Sequence, residues 1–142
     1  MNIRNKSIIS VLNSNEVLLT EGYDSVRKFY FYIPVGGGIE FGETSHDAAK
    51  RELFEELQVR GENLEFIGFH ENIFSFQADQ HHEIVFHFLC RIFDQTRSTL
   101  PEQVTETSGE MVNYSWYSKH GLEKIRSNIV PPQIYNELVD AL

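Results

Sequence analysis

Between Gly36 and Val59 the chain sets Gly36-Gly37-Gly38, Glu43, Arg51, Glu52, Glu55 and Glu56 at fixed intervals. Residues three and four apart share a helix face. A helix through this stretch therefore gathers Glu52, Glu55 and Glu56 on one side. Carboxylates so gathered repel one another unless a hard cation sits among them. Oxygen ligands of this kind suit Mg²⁺, which keeps several waters and also binds substrate phosphates. The glycines let backbone approach a ligand or metal closely, and a carbonyl there could complete a metal shell. An ion pair between Glu43 and Arg51 would pin the glycine segment to the helix. Taken singly, a glycine triplet is an ordinary turn and a glutamate run an ordinary solvated face. The two together, at this spacing, point to metal-assisted chemistry on phosphates.

Other elements must hold that segment in place. Ser7–Leu12 and Glu16–Thr20 are β-rich runs split by Asn13-Ser14-Asn15, a hairpin signal. Phe29–Ile33 reads as a third strand that runs into Pro34 and the glycines, where regular structure is expected to stop. Thr44 is a suitable N-cap with Asp47 as its capping-box partner, and Ala49, Leu53 and Leu57 recur at helical spacing as an apolar stripe. Leu64–Phe69 and Ile84–Phe93 read as further strands, the second nearly all apolar and so central, with a polar loop over Gln77–Glu83 between them. The polar stretch from Asp94 to Gly109 reads as a long loop, Met111–Tyr117 as a last strand. Two short helices follow, one from Ser118 and one after Pro131-Pro132 with Ile134, Leu138 and Leu142 on one face. The pattern predicts a single mixed α/β domain over residues 1–142, of the α+β type.

Composition narrows the function. The formal net charge is -9, with 12 Lys plus Arg among 142 residues. A non-specific nucleic-acid binder shows a basic face, so none is expected to be bound here. An acidic protein that handles phosphates needs an offsetting charge, and a divalent cation supplies it. The lone cysteine, Cys90, lies in an apolar run and reads as a core thiol. No stretch approaches the ~20 apolar residues of a membrane span, and the first residues lack the apolar core of a signal peptide. The expectation is a cytoplasmic protein with no membrane partner.

The segment Gly37–Val59 closely resembles the box of the Nudix hydrolases: Gly37, Glu43, then Arg51-Glu52-Leu53-Phe54-Glu55-Glu56 with aliphatic Val59 following. One position departs: Gln58 stands where the family usually has a helix-ending glycine, which leaves open a helix that runs on and caps at Gly61. The resemblance implies a mixed β-sheet sandwiched between α-helices. It implies Mg²⁺-dependent hydrolysis, with Mn²⁺ as a substitute, of a diphosphate linkage in a nucleoside diphosphate joined to another group. Glu55 and Glu56 then look like the primary metal ligands, Glu52 a ligand or the group that orients water, and the Gly36 carbonyl a further ligand. Gly37, Gly38 and Arg51 are expected at the substrate, with Arg51 and Glu43 also structural. Glu110, Glu106 and Glu83 are candidates for the extra glutamate that many members recruit as base or ligand, and Glu110 is assigned to catalysis.

A nucleotide-like small molecule is the expected substrate, and homodimers are common in such folds. Subfamily markers are not met: Phe74-Ser75 and Phe76-Gln77 stand where some subfamilies carry Pro or Tyr, and Leu18-Leu19-Thr20 lacks the arginines that should follow. Tyr23, Phe29, Tyr30 and Phe74 are candidates for stacking on a base. His81 and His82 alternate across a strand and so chelate poorly together, and His87 reads first as a satisfied histidine. The alternative function is a non-catalytic nucleotide sensor on the same fold, disfavoured because all three box glutamates are kept.

Overall fold

The run Ser7–Asn13 is buried on both faces, as a strand covered on both sides must be. It forms the second half of β1 (Ile3–Asn13), the centre of a computed structural model that describes residues 1–142. The remaining elements are β2 (Glu16–Asp24), β3 (Phe29–Ile33), β4 (Val35–Gly38), α1 (Ser45–Leu57), β5 (Glu65–Phe76), β6 (Asp79–Arg91), α2 (Asp94–Ser98), β7 (Val104–Thr105), β8 (Met111–Val112), β9 (Tyr114–Tyr117), α3 (Lys119–Lys124) and α4 (Tyr135–Ala141). The main sheet runs β3-β2-β1-β6-β5, with β4 added to β1 and β9 to β2. Strands β1 and β6 are parallel and the other pairs antiparallel, so the sheet is mixed.

Alternation along β1 divides the core in two. Ile9 and Val11 pack with Ala49, Leu53 and Leu57 of α1, together with Phe88 and Cys90. Ile8 and Leu12 pack on the other side with Leu122 of α3, Leu138 of α4, Ile129 and Ile134. Helices thus cover both faces, as expected. The apolar stripe of α1 is fully buried, and each leucine contributes roughly 1.5–3 kcal/mol by leaving water. No helix is long and apolar enough to cross a membrane.

Four local expectations are corrected. The glycine run does not end regular structure: Val35–Gly38 is a strand paired antiparallel with Ile9 to Lys6 of β1, so its backbone groups are satisfied by a neighbour the local sequence does not reveal. The segment Gln77–Glu83 is mostly strand, because β5 and β6 form one long hairpin. Its turn has positive φ at both Gln77 (52°) and Ala78 (70°), a backbone usually signalled by Asn or Gly. Here Gln77 is held instead by its own contacts: Asp24 accepts from its N–H, and its side-chain oxygen accepts from the N–H and hydroxyl of Ser25. The stretch Asp94–Gly109 contains α2 and β7, with Val104 buried against α1. The last strand is split at Asn113, its first part on β7 and its second on β2.

A buried polar network ties α4 to the sheet. The Ser10 hydroxyl lies 2.6 Å from His87 Nε2, and His87 Nδ1 lies 2.8 Å from Glu137 Oε1. His70 Nε2 reaches the same carboxylate at 2.8 and 2.9 Å. Gly68 leaves room for it, since a Cβ there would collide with Glu137 Oε2. His87 is therefore a satisfied core histidine.

Candidate active site

Helix α1 delivers the acidic residues, and its ends fix their angle. Thr44 caps the start, its hydroxyl accepting from the Asp47 N–H at 3.0 Å. The end lies at Gln58, which takes the left-handed conformation itself (φ 59°, ψ 31°) and donates its N–H to the Phe54 carbonyl at 2.8 Å. The helix does not run on to Gly61. Val59, only 8% exposed, packs into the α1 core immediately afterwards, and an extra turn of helix would withdraw it. That burial outweighs the ~1 kcal/mol a non-glycine residue costs in this conformation.

The three glutamates do not share one environment. Glu52 and Glu56 are 2% and 6% exposed and lie against β4. Glu56 Oε2 accepts from the Gly36 N–H at 2.8 Å, which brings the Gly36 peptide beside that carboxylate. The Glu52 carboxylate fills the space a side chain at Gly37 would need: a Cβ there would stand 2.5 Å from Oε1. Glu55, its side chain 49% exposed, faces outward, 3.4 Å from Arg51.

Arg51 binds this arrangement together. Its guanidinium donates to both oxygens of Glu43 at 2.8 and 2.9 Å, to Glu52 Oε1 at 2.8 Å and to the Gly38 carbonyl at 3.0 Å. The Arg51–Glu43 pair is as expected, and the bidentate contact holds Glu43 down at about 2. Gly37, Gly38 and Arg51, expected at the substrate, lie against the carboxylates: Gly37 yields space to Glu52, and the guanidinium joins Glu43, Glu52 and the Gly38 carbonyl.

The electrostatics mark Glu52 and Glu56 as unfinished. Burial pushes Glu56 up to about 9, with repulsion from Glu52 adding to it. Glu52 Oε2 is buried with no hydrogen-bond partner. A buried carboxylate oxygen of this kind is costly and calls for a partner. A divalent cation fits the donor set, because these are hard oxygen ligands gathered where charge repels charge. No group of three His, Cys, Asp or Glu side chains is placed to hold a metal ion by itself. Magnesium is normally held by one or two carboxylates plus waters and substrate phosphates, so an incomplete protein shell suits it.

The additional glutamates separate clearly. Glu110 is exposed beside the β7–β8 turn, and its carbonyl accepts from the Glu106 N–H. Glu106, exposed like Glu110, is the one coupled to the cluster: its charge raises Glu56, and Glu52 in turn raises it. Its carboxyl is held above the usual range by partial desolvation first and Glu110 next. Glu83 lies apart, buried and facing Arg4 and Lys6. Of the aromatic candidates, Tyr23 and Tyr30 are exposed and contact each other at 4.6 Å, Phe29 lies under Arg27, and Phe74 stacks on His81. Sequence reasoning passed over Lys6, whose positive charge acts on both Glu56 and Glu106.

Comparison with known proteins agrees with this geometry. The NUDIX domain family model matches residues 1–138. A NUDIX family hydrolase from Clostridium perfringens superposes with a TM-score of 0.60 at 19% identity, covering 100% of this chain and 99% of that one. A mutator MutT protein from Bacillus halodurans gives 0.64 at 17% identity, over 96% and 80% of the two chains. A C. elegans Ap4A hydrolase gives 0.64 at 17%, over 98% and 97%. The acidic helix, its glycine strand, the mixed sheet between helices and the family match together show that this chain belongs to the Nudix hydrolase family.

Proposed function

We propose that the protein hydrolyses a diphosphate linkage in a nucleoside diphosphate joined to a second group, using Mg²⁺ or, in its place, Mn²⁺. The observation that carries this is the unpartnered, buried Glu52 oxygen beside a Glu56 carboxyl held up to about 9. Glu52, Glu55 and Glu56, with the Gly36 carbonyl, would hold the cation. Once bound, it would neutralise the phosphate oxygens and acidify the attacking water.

This chain's own residues do the rest. Arg51 and Glu43 keep the glycine strand and the helix in register, so that the carboxylates meet the phosphates at a fixed angle. Water adds to phosphorus, the bond from phosphorus to the leaving phosphate oxygen breaks, and the proton passes to a carboxylate. Glu106 is the best placed acceptor, since it adjoins the cluster and its raised carboxyl has more basic character than an ordinary glutamate. Glu110, exposed beside the turn, acts on Glu106 through repulsion. A solved structure of similar fold is named an Ap4A hydrolase, which supports the reading.

The test is turnover of a panel of nucleoside triphosphates, nucleotide sugars and dinucleotides with Mg²⁺ or with EDTA, beside Glu55→Gln. The expected result is cation-dependent turnover that falls by ~10²-fold or more in the variant. Pyrophosphate plus a monophosphate would identify a triphosphate substrate, and two monophosphates a sugar conjugate. Nucleotide binding without turnover would overturn the reading in favour of a sensor.

A further inference from the structure

Strand β1 carries a cation to the end of the glycine strand. The β1–β4 ladder ends at Lys6 and Gly38, and a Cβ at Gly38 would stand 3.5 Å from Arg4 Nη2. The Gly38 carbonyl accepts from Arg51, which also donates to Glu52. One glycine thus lies between the Arg4 guanidinium and the arginine that meets the acidic cluster. The Arg4 side chain is 57% exposed, and its ion-pair partner Glu83 stands at 3.9 Å, beyond hydrogen-bond length. Its donors are therefore open to a ligand.

Arg4 lines a hollow of about 480 Å³, inside the ~300–1,000 Å³ range of ligand pockets. Asn2, Ile3, Gln80, His81 and His82 line it too, and none of its lining residues is acidic. In a chain of net charge -9, a guanidinium, two amides and two imidazoles around one hollow suit an anion. His82 supplies an independent sign of a ligand. The register places it between Ile3 of β1 and Ile73 of β5, and its Nε2 is buried without a hydrogen-bond partner. Glu52 Oε2, in the acidic cluster, is the one other side-chain atom in that condition. Buried polar atoms are normally partnered. Met1 and Asn2 precede the first strand and are exposed, so moving them aside to admit a ligand breaks no ladder bond.

We propose that Arg4, His82 and Gln80 form an oxyanion site for a phosphate group of the substrate that lies outside the cleaved diphosphate. This rests on the nucleotide hydrolase reading above. From the Gly36 peptide beside Glu56 to Gly38 is two residues of strand, roughly 7 Å, a span that a chain of phosphates covers. The fork of an arginine meets two phosphate oxygens at once. The Gln80 amide and a ring N–H of His82 each donate one further bond. A neutral sugar in the same place gains none of the charge-assisted bonds. The site therefore favours substrates with phosphates beyond the scissile pair over nucleotide sugars.

The ring nitrogens of His82 report occupancy without any turnover. Nitrogen–proton spectra of the full chain are recorded during titration with inorganic phosphate, and separately with a nucleoside triphosphate, without divalent cation. The His82 ring signals are expected to shift in the parent and to stay in place in Arg4→Ala. Arg4→Lys, which keeps the charge but not the fork, should recover part of the shift. With Mg²⁺ present, Arg4→Ala should raise KM for the triphosphate by at least ~10-fold and leave KM for a nucleotide sugar within about two-fold, with kcat unchanged for both. No His82 shift with either anion, or an equal rise in KM for triphosphate and nucleotide sugar, would overturn the proposal. A shift with inorganic phosphate but none with the triphosphate would assign the hollow to a free anion and overturn it likewise. A triphosphate-induced shift, lost in Arg4→Ala, in a protein that turns over no nucleotide would sink the hydrolase reading and leave the phosphate site standing.

Discussion

Two buried polar clusters lie on opposite faces of the same sheet, and they are built on opposite rules. In the network of Ser10, His87, His70 and Glu137, every ring nitrogen and hydroxyl aimed inward meets a partner at 2.6 to 2.9 Å. In the cluster of Glu52 and Glu56, one oxygen is orphaned and one carboxyl is pushed up to about 9. The hydrogen bonds of the first even follow the order serine, histidine, glutamate. Ser10 and His87 are nevertheless 0% exposed, so no substrate reaches the hydroxyl. Satisfied burial holds a fold together, whereas unsatisfied burial is strain that a ligand relieves.

The largest expected effect comes from disturbing the unsatisfied cluster. Glu56→Gln should lower turnover by ~10³-fold while stabilising the cation-free protein by roughly 1–3 kcal/mol at pH 8. The sign follows from the raised carboxyl. Between its ordinary 4.5 and about 9 the folded protein holds a proton that the unfolded chain releases, so parent stability falls as pH rises across that window. The variant, neutral throughout, should pull ahead from pH 5 to 9. Added Mg²⁺ stabilises the ionised parent and should shrink the gap, and parent affinity for the cation should tighten toward pH 9. Urea unfolding at three pH values with and without cation measures this. A variant less stable than the parent at pH 8 would mean that Glu56 is a structural group.

The satisfied network should respond the other way. Glu137→Leu strands His70, His87 and the α4 contact, and should cost ~2–4 kcal/mol with turnover per folded molecule retained. Burial holds His87 below its ordinary 6.5, and the histidines hold Glu137 below its ordinary 4.5. Both contributions are lost as pH falls, so acid should weaken this side of the molecule just as alkali weakens the other. Removing Glu137 takes away the partner that raises His87, so thermal unfolding of the variant from pH 7 to 5 should show an acid loss at least as steep as the parent's.

The smallest effect lies at the joint between helix and core. Gln58→Gly removes the penalty of a left-handed glutamine and should stabilise by ~0.5–1 kcal/mol. Turnover should not change. A destabilised variant would show that the glutamine side chain contributes a contact worth more than the backbone penalty.

The sequence announced the acidic helix because its signals are local. Thr44, the Ala49-Leu53-Leu57 stripe and the Glu43–Arg51 spacing each act within a turn or two of helix, and all three recur in the structure. The hairpin of β1 and β2 was legible for the same reason. The glycine strand was not, because glycines carry no strand propensity and only the edge of β1 gives their backbone a partner. Nor was the turn at Gln77-Ala78, whose conformation is held by Asp24 and Ser25 from 53 and 52 residues away.

By itself, then, the sequence determined the family: the kinds and spacing of Gly37–Val59 carry the Nudix resemblance whatever surrounds them, and the family match bears it out. The tertiary structure decided which carboxylates are buried, which groups the Arg51 guanidinium meets, and that Glu106 couples to the cluster. It also decided that the Arg4 guanidinium reaches Gly38. Those outcomes depend on burial and on strand register, and both arise from pairing between segments far apart in the chain.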